Sequence, residues 1–153
     1  MSSQRVRVRL RLPAMTPLRD WTVAQQFAMG IALFTVVTGA VGFAMNPDFA
    51  VGDDATAKSF IVDWNGWHAV SALLVGLPGL AVAWFPGLAV PYLAYRAVVD
   101  GSVGLWAALD DRPLGLLYLP TASDAIVHFS IAAIAAIGIL VATRGSSRGP
   151  EPA

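Results

Sequence analysis

Residues 24–45 read AQQFAMGIALFTVVTGAVGFAM, 22 positions without one charged side chain. At about 1.5 Å of rise per residue, a helix of this length crosses a hydrocarbon core roughly 30 Å thick. The block is too long for the apolar core of a signal peptide, and no small-residue cleavage site follows it, so it reads as a retained first span. Asn46-Pro47-Asp48 ends it, because proline cannot donate a hydrogen bond to a continuing helix.

Outward from this block the pattern repeats. A second apolar stretch covers residues 64–84, with Trp64 and Trp84 at its ends, where interfacial aromatic belts place tryptophan. Phe85-Pro86-Gly87 makes a tight turn into a third stretch, about 88–109, which Asp110-Asp111-Arg112-Pro113 closes. Residues 114–119 are apolar but too short to span, and a fourth stretch runs from 122 to 142. Charged residues make up only 13% of the chain, against roughly 25% in an average globular domain, too few to cover a water-facing surface. Backbone inside hydrocarbon must satisfy its own polar groups, which leaves helices or closed barrels. Blocks of this length without period-2 alternation mean helices. The expected fold is therefore an all-α integral membrane protein, a four-helix transmembrane bundle. Small residues at four-residue spacing (Thr35 and Gly39, Ala72 and Gly76, Ala97 and Gly101, Ala132 and Ala136) would let its helices approach closely.

Orientation follows from Lys and Arg in the loops. Arg5, Arg7, Arg9, Arg11 and Arg19 precede the first block, and Arg144 and Arg148 follow the last. The 46–63 loop holds only Lys58, the 110–121 loop only Arg112, and the turn at Pro86 none. Four spans place both tails and that turn on one side, so both termini are expected in the cytoplasm. The organisation is a basic cytoplasmic arm at 1–23, a four-span domain at 24–142 and a cytoplasmic tail at 143–153. Nine Arg against one Lys, with abundant Ala, Gly and Val, matches GC-rich bacterial genomes and points to a bacterial plasma membrane.

The chain has no cysteine, which excludes disulfides, thiolate nucleophiles and Cys-ligated metal centres. No nucleophile–base pair, phosphate loop or metal-ligand set stands out, so no catalytic residue is assigned and enzymatic activity is not expected. A net charge of zero nominates no nucleic-acid partner.

Two histidines occupy matching places. His68 enters the second block in Asp63-Trp64-Asn65-Gly66-Trp67-His68, and His128 enters the fourth in Ser123-Asp124-Ala125-Ile126-Val127-His128. Blocks one–two and three–four share one sense through the membrane, which would fit two helix hairpins related by a pseudo-two-fold axis. Two inward-facing histidines could hold a haem or a metal between helices. The structural alternative is that Asn65, His68, Asp124 and His128 lock helix ends by hydrogen bonding, with Asp124 orienting the His128 ring.

Four spans, with Asn-x-x-His entering the second and Asp-x-x-x-His the fourth, resemble a family of small actinobacterial membrane proteins catalogued only as a domain of unknown function. The resemblance covers about residues 24–142 and leaves arm and tail outside. In that family both half-motifs carry Asn three residues before His; here Asn65 fits, and Ala125 stands at the second place. The resemblance implies a fold and a lineage, and supplies no activity.

Arg96 and Asp100 lie four apart in the middle of the third block, on one helix face. Intramembrane ionisable groups default to functional hypotheses. Three readings are open: mutual neutralisation facing the bundle interior, a polar contact to a partner's helices, or part of a substrate or proton path. The arm segment Arg5-Val6-Arg7-Val8-Arg9-Leu10-Arg11-Leu12 alternates with period two, so a strand would carry every arginine on one face. Such a strand could add to a partner's sheet. An unstructured basic arm would instead set topology and touch anionic lipid, at about 1 kcal/mol per charge near the surface.

These features favour a non-enzymatic accessory subunit packed laterally on a larger bacterial envelope complex, through helix faces, Arg96, Asp100 and the arm. A lipid-import transporter is preferred over a respiratory assembly as host. The alternative is a haem-, metal- or small-ligand-binding membrane protein that uses His68 and His128.

Overall fold

The computed structural model describes residues 14–110 and 122–146, which fold into four helices and one short β-hairpin. The arm with Arg5, Arg7, Arg9 and Arg11, the 111–121 segment and the tail beyond 146 lie outside the described residues.

Helix α1, Val23–Met45, begins at a capping box: the Thr22 hydroxyl accepts from the Gln25 amide, and the Gln25 side chain accepts from the Thr22 amide. Gln25 is fully buried and also donates to the Ala83 carbonyl at 3.0 Å, tying the start of α1 to the end of the second helix. At its other end Asn46 donates to the carbonyls of Thr56, at 3.1 Å, and Trp64, at 2.9 Å. The loop and hairpin that follow are thereby fastened to the helix terminus. Within that loop the Thr56 hydroxyl, and after it the Ala50 amide, hold the exposed Asp48 carboxyl below the usual carboxylate range.

Strands β1, Lys58–Phe60, and β2, Val62–Trp64, pair antiparallel around Ile61, whose φ of 66° lies in the left-handed region. A β-branched residue there is strained. Helix α2, Gly66–Val82, starts directly from β2, and α3, Pro86–Leu109, follows after a turn with proline at its first position. Helix α4 is Ala122–Ser146.

The four apolar blocks thus become four helices, with one shift. The second helix is shorter than residues 64–84, because Trp64 belongs to the hairpin. It is 3% exposed, which corrects its expected place in an interfacial belt. Trp84 packs edge-on against Trp21, with ring centroids 5.1 Å apart.

Helix α1 packs most heavily on α2, and α3 on α4; α1 also touches α3 and α4, while α2 and α3, neighbours in sequence, meet little. The α1–α2 seam is close. A Cβ on Gly39 would lie 3.0 Å from that of Ala72, and one on Gly76 would lie 2.8 Å from the Val36 side chain. Among the described residues, small apolar side chains fill much of the interior, and the largest fully buried side chains are Arg96, Leu93, Gln25, Asn65 and Asp124, while Leu33, Phe34, Leu74, Val98 and Ile137 are exposed. Among the described residues, Val23–Met45 and Ala122–Gly145 are long and apolar enough to cross a membrane; Gly66–Val82 is apolar but shorter.

Candidate functional site

The site begins at the start of α2. The Asn65 side chain caps the helix by accepting from the His68 amide at 2.8 Å. The His68 ring turns back, with Nδ1 2.8 Å from the Asp63 carbonyl oxygen. One short motif therefore closes the helix end and fixes a ring: Asn-x-x-His places the cap acceptor under the histidine's own amide. Trp64 stacks on His68 with centroids 4.4 Å apart, and its Nε1 donates to the Phe60 carbonyl at 3.0 Å, so the hairpin holds the ring that holds the histidine. A Cβ on Gly42 of α1 would run into the Trp64 ring; only glycine leaves room for this side chain.

From α3, Arg96 and Asp100 form a bidentate pair. Arg96 Nε donates to Asp100 Oδ2 at 2.7 Å, and Nη2 donates to Oδ1 at 3.1 Å. The remaining guanidinium nitrogen, Nη1, donates to the Thr35 hydroxyl on α1 at 3.0 Å and to the Tyr92 hydroxyl at 3.2 Å. The Thr35 hydroxyl donates in turn to the Ile31 carbonyl at 2.8 Å. Arg96 is 1% and Asp100 3% exposed.

From α4, His128 brings Nδ1 to 3.2 Å from Asp100 Oδ1. Its ring lies nearly parallel to that of His68, centroids 6.0 Å apart and planes 27° apart. Hydrogen bonds thus run from Thr35 through Arg96 and Asp100 to His128, whose ring faces that of His68, so groups from four helices meet in one place. Beside it is a cavity of about 90 Å³, which Trp64, Ser71, Arg96, Asp100 and both histidines help to line. That volume admits a few waters or one small functional group.

The sequence reading had Arg96–Asp100 and His68–His128 as separate constellations; the fold merges them. Two of its roles are corrected. Arg96 and Asp100 face each other and the interior, so neither side chain is presented to a partner's helices. The group that meets the His128 ring is Asp100, not Asp124, which is itself fully buried. Thr35, Tyr92 and Trp64 enter the site without a sequence signal for that role. Among the described residues no group of three or more His, Asp or Glu is placed to hold a metal ion.

Fold and site together define an all-helical protein with a polar cluster buried in its interior. Residues 25–141 match the family described as Domain of unknown function (DUF4383), and the chain belongs to that family. No curated protein and no solved structure matches it.

Proposed function

We propose that the chain is a four-span bundle in the bacterial plasma membrane, both ends cytoplasmic, that holds a small polar group inside the membrane against His68, His128 and the Arg96–Asp100 pair. Support for the topology comes from the apolar exterior, the two membrane-capable helices and the Lys and Arg count of the loops. Helix α2, at 17 residues, is at the short end of the spanning range of roughly 17–25. Helix α3 has the length, and its two charges neutralise each other.

The observation that carries the ligand-holding role is convergence: ionisable side chains from α2, α3 and α4 meet beside one cavity. Burying such groups in a bilayer costs free energy that an apolar interior would not incur. Native mass spectrometry of protein taken up in mild detergent tests the idea. A retained small molecule should be present on the wild type and missing from a His68→Leu/His128→Leu variant. Identical spectra for the two would refute the role.

A second reading, the non-enzymatic accessory subunit of a larger envelope complex, draws on one feature. Tyr95, Val98, Leu105 and Leu109 expose an apolar face along α3 suited to lateral packing. A lipid-import transporter remains the preferred host over a respiratory assembly, with the basic arm as a second contact or an anchor on anionic lipid. Affinity purification in mild detergent is its test. A stoichiometric partner lost on Val98→Arg would uphold it, and a chain that elutes alone would not.

A further inference from the structure

A second hollow of about 550 Å³ lies between α1 and α4, bordered by Gln26, Gly30 and Phe34 on one helix and Val127, Ser130 and Ile134 on the other. Phe34, Val127 and Ile131 line both this groove and the polar cavity, so the two adjoin. On the four-span reading, α1 and α4 are the two helices both long and apolar enough to cross the bilayer, and the groove between them faces lipid. A space with an apolar arm and a polar end has the shape of an amphiphile.

The chemistry of the polar end narrows the head. Arg96 is already matched by Asp100 through two hydrogen bonds, so the site carries no spare charge to neutralise an anion or a cation. The Asp63 carbonyl can only accept, so His68 Nδ1 carries the proton; the Asp100 carboxylate assigns the same to His128. On each ring Nε2 is then the nitrogen left to face a ligand. Such a nitrogen, beside an ion pair already matched, suits a hydroxyl that donates.

We propose that the α1–α4 groove and the polar cavity together bind a neutral single-chain lipid with a hydroxyl head, a long-chain alcohol. Its chain lies along residues 26–34 and 127–134, and its hydroxyl donates to Nε2 of one of the two histidines. This rests on the ligand-holding reading above and names its ligand class. The groove runs for about eight residues of α1, some 12 Å of helix, so part of a long chain is covered and the rest lies in the bilayer.

The test uses the full chain in nanodiscs with hexadecanol bearing a mid-chain diazirine, followed by irradiation and peptide mapping. Crosslinks should concentrate on residues 26–34 and 127–134, and excess hexadecanol should compete while hexadecyl phosphate and hexadecane should not. A Cβ on Gly30 meets nothing within 4 Å, so Gly30→Ala should retain labelling, while the bulk of Gly30→Trp, at a residue that borders the groove, should abolish it. The His68→Leu/His128→Leu variant should weaken hexadecanol competition by about fivefold, the loss of one hydrogen bond.

Labelling spread evenly over the lipid-facing helices, or unchanged in Gly30→Trp, would overturn the groove and leave the polar centre standing. Competition by hexadecyl phosphate equal to that by hexadecanol would overturn the neutral head. Undiminished hexadecanol competition in His68→Leu/His128→Leu, checked for fold by circular dichroism, would sink the polar-centre reading itself.

Discussion

Removing one charge from the Arg96–Asp100 pair should damage the protein more than removing both. In Arg96→Leu, Asp100 loses both guanidinium hydrogen bonds and keeps only the His128 Nδ1–H. A buried carboxylate stripped of its cation costs about 3–5 kcal/mol. In Arg96→Leu/Asp100→Leu no charge is left. The Thr35 hydroxyl still donates to Ile31, and Tyr92 can still donate to the Val75 carbonyl, so the one donor orphaned is His128 Nδ1–H. That costs about 1–3 kcal/mol, offset in part by two added apolar side chains. The double variant should therefore be more stable than the single by about 2 kcal/mol. Steric-trap unfolding of purified protein in bicelles measures both free energies on one scale. A double variant clearly less stable than Arg96→Leu would refute the reasoning, because the pair would then contribute net stability rather than mutual neutralisation.

Gly42→Ala should destabilise by about 1–3 kcal/mol, since the Trp64 ring has no room to give between α1 and His68, whereas Gly30→Ala should be close to neutral; thermal unfolding of the two in one detergent compares them. A cysteine at Ala55 should react with an impermeant maleimide in intact cells and one at Pro86 should not; the reverse would invert the topology read from the arginine count. Thr22→Ala should cost about 1 kcal/mol through the lost cap of α1, read as a lowered midpoint of thermal unfolding, with no change in the α4 hydrogen-exchange pattern. Rearranging residues 5–12 to RRRRVVLL keeps charge and topology but destroys the alternation. If the arm docks on a partner as a strand, the rearranged chain should insert normally and lose that partner on purification; an unchanged yield would leave the arm as charge alone.

The helices were legible because hydropathy is a local property: blocks of 20 or so apolar residues declare themselves, and Asn46-Pro47 and Phe85-Pro86-Gly87 mark their ends. The Arg96–Asp100 contact was legible for the same reason, since i, i+4 spacing fixes a shared face on any helix. The rest of the site was not. Asp100 and His128 are 28 residues apart, and Arg96 and Thr35 are 61 apart, so their meeting depends on how each helix is rotated about its axis. With apolar side chains around most of each block, the pattern carries almost no rotational information. Trp64 shows the limit well. A tryptophan at the edge of an apolar block fits an interfacial belt, and nothing local says that a seven-residue hairpin will fold it over a histidine. Asp124 was matched to His128 by sequence proximity, but Asp100 reaches the ring from another helix.

Both charges of the Arg96–Asp100 pair sit on α3, one turn apart, and neither α1 nor α2 adds one, while α4 carries its own buried acid, Asp124, in its first turn. On the four-span reading this bears on biogenesis. A charge on one hairpin and its counter-charge on the other would each have to enter lipid alone and wait there for the second half to be synthesised. Here the α1–α2 hairpin brings only a threonine and an imidazole to the seam, and α3 leaves the translocon with its cation and anion already joined. Neither hairpin therefore depends on the other for the counter-charge of this pair. The contacts that unite them, Arg96 to Thr35 and His68 beside His128, form only when the two dock, so their closure marks the last step of assembly.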